Sequence, residues 1–330
     1  MKNKIVIVAT LLVFICQLQA QNEHYTKELN KGYQGAIIKD IKYLKNALNF
    51  AVLGDWGRYG NLHQKAVAEQ LSGAMAGIDG DFIISTGDNF YPSGVKSIHD
   101  PAWKYSFEDV YTSYHLHRDW YVILGNHDYV TNPEAQVAYS NISARWKLPF
   151  KYYSFKKNIQ GTKKKHVEFF MVDTSPLQPD YYEGDFYMKN QPKQDTLTQK
   201  KWLEKSLKES TATWKIVVGH HPMYSSGNRK GRTSAMENSF KALFEKYKVD
   251  AYICGHEHHL EYDKPKEVSF VQFISGSGSE VTGVTETPYA IFAKKDFGFI
   301  TFSISEDQML VQFINSKGEI IYTTTRDKKG

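Results

Sequence analysis

Phe50-Ala51-Val52-Leu53-Gly54-Asp55-Trp56-Gly57 is the stretch that decides the fold of this 330-residue chain. An apolar run too short for a helix stops at a glycine-flanked acid, as a buried strand does when it delivers a polar group at its carboxyl end. The run predicts a strand over Ala47 to Leu53. The same figure recurs along the chain. Phe82 to Ser85 runs into Gly87-Asp88-Asn89, Trp120 to Leu124 into Gly125-Asn126-His127-Asp128, Ile216 to Val218 into Gly219-His220-His221-Pro222, and Ala251 to Cys254 into Gly255-His256-Glu257-His258.

Helical spacing of apolar residues predicts helices over His63 to Met75, Ala102 to Tyr114, Thr198 to Leu207 and Glu237 to Tyr247. Tyr152 to Phe155 and Val167 to Val172 read as strands, and Pro176 to Lys193 as a polar, tyrosine-bearing surface loop. The tail adds strand candidates at Ser269 to Ile274, Ala290 to Phe292, Gly298 to Ser303, Met309 to Ile314 and Glu319 to Thr324. Strand alternating with helix, then a meander, predicts a mixed α/β sandwich. No segment reads as a linker, so a single domain is expected over 21–330.

The first twenty residues form a separate unit. Lys2 and Lys4 precede the apolar run Ile5 to Ile15, and a polar stretch leads to Ala20, the pattern of a secretory signal peptide cleaved near Ala20-Gln21. Export, to the periplasm or the medium, is the expectation. Cys16 raises the alternative of a lipoprotein anchor, against which the bulky Phe14 and Ile15 speak. The other cysteine, Cys254, precedes two histidines in a strand, where burial is expected. The whole chain has 41% hydrophobic and 23% charged residues, ordinary for a globular protein; the leader's apolar run is too short to span a membrane as a permanent helix, and no other stretch reaches the necessary length. Net charge is +5, and the lysine patches fall in turns and at the tail, so neither a nucleic-acid face nor an integral membrane segment is expected.

A single Gly-Asp or Gly-His turn is ordinary turn chemistry. Five such turns at strand ends, each bearing a carboxylate, carboxamide or imidazole, point to a shared site, because functional groups gather at the carboxyl ends of strands. Carboxylate with imidazole suits transition metals, and the absence of clustered cysteines excludes a structural zinc-thiolate. His256 and His258, two apart, can address different ions. A pair of ions can hold a phosphoryl group and activate water, so the residues read as a two-metal phosphoester hydrolase.

In order, Gly54-Asp55-Trp56-Gly57, Gly87-Asp88-Asn89-Phe90-Tyr91, Gly125-Asn126-His127-Asp128, Val218-Gly219-His220-His221-Pro222 and Gly255-His256-Glu257-His258 resemble the metallophosphoesterase blocks of the purple acid phosphatases, closest to the short, tartrate-resistant type within the calcineurin-like metallophosphoesterases. The resemblance runs from about Phe50 to Phe313. It implies a four-layer αββα sandwich of two mixed sheets. It also implies Fe(III) held by Asp55, Asp88, Tyr91 and His258, and a divalent Fe, Zn or Mn ion held by Asn126, His220 and His256, with Asp88 bridging. Tyr91 is the discriminating residue, the phenolate that colours the family. His127, with Asn126, is implied to bind the substrate phosphate, and His127 to assist the leaving group. The implied reaction is in-line attack of a metal-activated hydroxide on a phosphate monoester.

The chain also departs from the family pattern. The family histidine that helps protonate the leaving group has no counterpart in Ser226-Gly227-Asn228-Arg229-Lys230, which leaves His221, Asn228 and Arg229 as candidates to compensate, with Asn228 and Arg229 also candidates for binding the substrate. Pro179 to Gln194 lacks the cysteine of the mammalian regulatory loop. Expected partners are small phosphate esters or a phosphoprotein, with oligomeric state open. The alternatives are a colourless enzyme acting on phosphodiesters or nucleotides, and a phosphate-binding protein without catalysis.

Overall fold

The computed structural model describes residues 22–162, 164–184, 186–189 and 191–328, so the expected leader and Cys16 lie outside the described residues. In chain order the strands are β1 (Leu48–Leu53), β2 (Phe82–Ser85), β3 (Asp119–Val122), β4 (Trp146–Lys147), β5 (Tyr153–Asn158), β6 (His166–Met171), β7 (Trp214–Val218), β8 (Ala251–Cys254), β9 (Leu260–Asp263), β10 (Val271–Ser275), β11 (Ala290–Lys294), β12 (Gly298–Ile304), β13 (Gln308–Asn315) and β14 (Ile320–Asp327). They form two seven-stranded sheets, ordered β14-β13-β12-β1-β2-β3-β4 and β11-β9-β10-β8-β7-β6-β5. Both are mixed: β1, β2, β3 and β4 run parallel while β12 pairs antiparallel with β1. In the second sheet β6, β7, β8 and β10 run parallel, flanked by antiparallel β5 and β9.

The unbroken apolar runs follow from burial on both faces. Along β1, Phe50 and Val52 enter the core between the sheets, whereas Ala51 and Leu53 meet the helix Gln64–Ile78 through Val67, Leu71, Ala74 and Met75. On the second sheet Phe169, Ile216 and Ile253 face inward, and Phe170, Val217 and Tyr252 pack outward on Leu203 and Leu207 of the helix Thr196–Glu209 and Phe244 of Ala242–Lys246. The result is helix, sheet, sheet, helix, the expected four-layer sandwich.

Several local expectations are corrected. Ala102 to Tyr114 is not one helix: a π-turn over Trp103–Glu108 is followed by a separate 3-10 turn, Tyr114–Leu116. Gln64 takes the Ser106 carbonyl (2.7 Å) and the Tyr59 amide donates to Ser106 Oγ (2.9 Å), which diverts the polar groups a helix would use. The lead-in before Ala47 contains the helix Glu23–Asn30, whose Asn22 side chain caps the His24 and Tyr25 amides. Strand β9 escapes the pattern because Glu261 and Asp263 are acidic yet fully buried, satisfied in part by Ser226 and Gln272. The tail is also divided: β10 and β11 join the second sheet, and only β12 to β14 form a meander in the first. Cys254 is buried, as expected. No helix among the described residues is long and apolar enough to cross a membrane.

Phe50 is the centre of the inter-sheet core. Its ring stacks on Phe82 (4.9 Å between centroids) and Phe302 (5.0 Å) and meets Phe169 of the facing sheet edge-on (5.3 Å). Phe50→Ala is expected to cost about 3–5 kcal/mol, read as a lower urea midpoint with an unchanged slope.

Candidate metal centre

The carboxyl ends of β1, β2 and β3 in one sheet and β7 and β8 in the other meet at one end of the sandwich. Cross-sheet bonds fix them there. Ser275 Oγ donates to the Val52 carbonyl (2.8 Å), the Gly278 amide to the Gly54 carbonyl (3.0 Å), and His220 Nδ1 to the Thr86 carbonyl (2.8 Å). Whenever the ring is neutral, that last bond holds the proton on Nδ1 and leaves Nε2 turned inward with a lone pair.

Asp55 and Asp88 are buried. Tyr91 brings its phenol oxygen to 2.9 Å from Asp55 Oδ1, 3.0 Å from Asp88 Oδ2 and 3.1 Å from His258 Nε2. His220 Nε2 lies 3.5 Å from Asp88 Oδ2, 3.2 Å from Asn126 Oδ1 and 3.2 Å from His256 Nδ1. The expected donors thus converge as two groups that share Asp88. Lone pairs outnumber the protons between them, an arrangement a cation relieves. Burial opposes a charge on His220, yet the Asp88 and Asp55 carboxylates overcome it and lift its pKa to about 9. The pocket's field therefore calls for positive charge, and the donor set fits two metal ions.

The backbone is bent to make this possible. Asp55, Asp88 and His256 carry positive φ (57°, 48° and 68°), a conformation costing roughly 1–3 kcal/mol for a residue with a side chain. Neighbouring positions must be glycine, because a Cβ on Gly125 would strike the Asp88 carboxylate and one on Gly255 the Asp55 carboxylate. The Asp55 carboxylate accepts the His256 amide (3.0 Å), and Asp88 Oδ1 accepts the His127 amide (2.8 Å).

His127 stands at the rim. Its Nδ1 donates to the Pro92 carbonyl (2.7 Å), and its ring lies against Tyr91 and Tyr187. His127, Asn228 and Arg229 line the cavity over Asp88, Asn126 and His258. His221 lies behind His256, with Nδ1 bonded to Thr174 Oγ1 (2.7 Å) and Nε2 to Tyr181 OH (2.8 Å). Both nitrogens are engaged, so His221 has none to offer a leaving group. The polar loop Pro176 to Lys193 is more than a surface excursion, since its Tyr181 and Tyr187 border the site.

Residues beyond the strand-end pattern support the centre. The Arg58 guanidinium covers the Tyr91 ring at 3.8 Å. Asp128 receives amides from Asn89 (3.1 Å), Phe90 (3.2 Å) and Gly125 (2.9 Å) and the Gln136 side chain (2.8 Å), joining the two loops that carry Asp88 and Asn126. Asp128 was visible in the Gly125 to Asp128 motif, but its service to the backbone was not. Asp173, two residues beyond β6, is buried, with Tyr129 donating to one oxygen and the other without a hydrogen-bond partner among the described residues. Burial pushes its carboxyl up to about 7. The unfolded chain releases this proton near pH 4 and the fold retains it to about 7, so its contribution to stability falls as pH rises through that window and stays low above it. Asp173→Asn is expected to remove that decline and raise the melting temperature at pH 8, checked by thermal unfolding at pH 5 and pH 8.

Residues 48–260 match the family model described as calcineurin-like phosphoesterase. The chain is 35% identical over 298 residues to purple acid phosphatase 17 of Arabidopsis thaliana, covering 86% of this chain and 85% of that one. It is 32% identical over 300 residues to tartrate-resistant acid phosphatase type 5 of Homo sapiens, covering 84% and 90%. Among solved structures it is similar to the Plasmodium protein GAP50, described as the anchor in the inner membrane complex, with TM-score 0.75 and 28% identity over 86% of this chain and 90% of that one. Purple acid phosphatase PPD1 from Lupinus luteus seeds shares the fold, with TM-score 0.62 and 17% identity over 88% of this chain and 54% of that one. With its metal-binding donors assembled from both sheets, the chain belongs to the purple acid phosphatase family of calcineurin-like phosphoesterases.

Proposed function

We propose that the protein is an exported acid phosphatase whose two metal sites take Fe(III) and a divalent Fe, Zn or Mn ion. Hydrolysis of phosphate monoesters at a binuclear site follows from its family. One observation carries the finer reading: the Tyr91 phenol oxygen within 3.1 Å of Asp55, Asp88 and His258. Burial, then the Asp55 and Asp88 charges, push this phenol well above its ordinary pKa, so only a strongly Lewis-acidic cation would draw off its proton. Fe(III) answers that description, and the oxygen-rich set Asp55, Asp88, Tyr91 and His258 would hold it. Asn126, His220 and His256, with Asp88 shared, would hold the divalent ion.

When bound, such a pair supplies Lewis acidity toward the phosphoryl oxygens and toward water. The chain's own residues do the rest. Asn126 and His127 border the space where the phosphate sits, and the Pro92 carbonyl fixes the His127 ring so that Nε2 remains for the ester. When the ring is protonated on both nitrogens, Nε2 can pass its proton to the departing alcohol and leave the neutral Nδ1–H ring behind. Phe186 and Tyr187 flank the His127 ring and narrow the approach. Export rests on the leader sequence alone, and the substrates are small phosphate esters or phosphorylated proteins.

Purified protein is expected to be violet, to contain iron, and to release phosphate from 4-nitrophenyl phosphate faster than from the corresponding diester. Tyr91→Phe is expected to abolish the colour while leaving the fold intact. A fully metallated, active and colourless wild type would overturn the iron-phenolate reading, and preferential diester cleavage would favour the alternative enzyme.

A further inference from the structure

Arg229 stands in the wall between two cavities. One opens over Asp88, Asn126, His127 and His258; the other extends toward Arg232. Its Nε lies 2.9 Å from His256 Nε2. Arg58 and Arg145 are paired with Glu280 and Glu108, but among the described residues no carboxylate lies within the 4.0 Å ion-pair distance of the Arg229 guanidinium. A half-buried cation left without a countercharge beside a cavity is a receptor for an anion.

Its mount is built rather than incidental. Glu257, buried between the two histidines of the β8 turn, accepts the Asn228 amide (3.0 Å), the Arg229 amide and Ser225 Oγ (2.9 Å). Gly227 must be glycine, because a Cβ there would strike the Glu257 carboxylate. The turn that brings His256 and His258 to the metal sites therefore also grips the Arg229 backbone, and distances between cation and metals are fixed together. Of the three residues that could compensate for a missing histidine, His221 has both nitrogens occupied and Asn228 carries no charge.

We propose that Arg229 binds a non-bridging oxygen of the substrate phosphate, with Glu257 as the residue that positions it. This rests on the phosphatase reading and adds the residue that grips the substrate. A guanidinium fork matches phosphate geometry and keeps its charge across the working pH range.

The test uses metal-loaded protein, with inorganic phosphate as competitive inhibitor and 4-nitrophenyl phosphate as substrate. Arg229→Gln is expected to raise the inhibition constant for phosphate about ten- to a hundred-fold, with metal content and visible spectrum unchanged. Arg229→Lys, which keeps the charge but loses the fork, is expected to fall between, and decides the matter if the glutamine variant loses metal. Arg232→Gln removes the same charge from the neighbouring cavity and is expected to change the constant by less than about two-fold, since exposed charges are screened. Equal effects at Arg229 and Arg232 would mean a general field and overturn the assignment, as would an unchanged constant in metal-replete Arg229→Gln. If metal-replete wild type hydrolyses no monoester, the phosphatase reading fails, and calorimetric phosphate binding to the same variants still decides Arg229.

Discussion

Two buried carboxylates facing a phenol and imidazoles are the constraint to which the rest of the structure answers. Asp55 and Asp88 have left water almost completely, and among the described residues only histidines, no lysine or arginine, are ion-paired with them. Isolated, such a pair would be strongly destabilising or would neutralise itself by taking up protons. The strained backbone at Asp55, Asp88 and His256, and the glycines beside them, make sense only as the cost of aiming these groups inward. The seam of hydrogen bonds between the sheets serves the same end. Donors come from both sheets, so any sliding of one on the other would separate His220 from Asp88.

Much of this was legible in the sequence because strand burial and strand-end chemistry are local signals. Leu48 to Leu53 announces itself by an unbroken apolar run, and Asp55 by the glycines around it. The donors Asp88, Asn126, His220, His256 and His258 were found the same way, whereas Tyr91 came only with the family resemblance. Long-range compensation was not legible. Strand β9 carries Glu261 and Asp263, whose burial depends on Ser226 and Gln272 from distant segments. The segment after Ala102 has helical spacing, but its Ser106 groups are claimed by Tyr59 and Gln64. His221 was a candidate for the leaving-group proton, but Thr174 and Tyr181, distant in sequence, occupy both nitrogens of its ring.

The same distinction separates the constant from the variable parts of the site. Metal donors sit at strand ends, where register fixes them. The rim belongs to longer segments: Phe186 and Tyr187 beside His127, and the turn carrying Asn228 and Arg229. Chemistry common to a family can thus persist while substrate preference is rewritten in loops that contribute no strand to either sheet.

The strand order has a consequence for how the molecule comes into being. Strand β12, at residues 298–304, lies between β13 and β1, and its Phe302 completes the aromatic stack on Phe50. The first sheet therefore cannot acquire its middle until residues 298–304 have been made. During synthesis β1 waits with one flank bare, and closure depends on a contact spanning some two hundred and fifty residues, which favours slow folding that waits for β12.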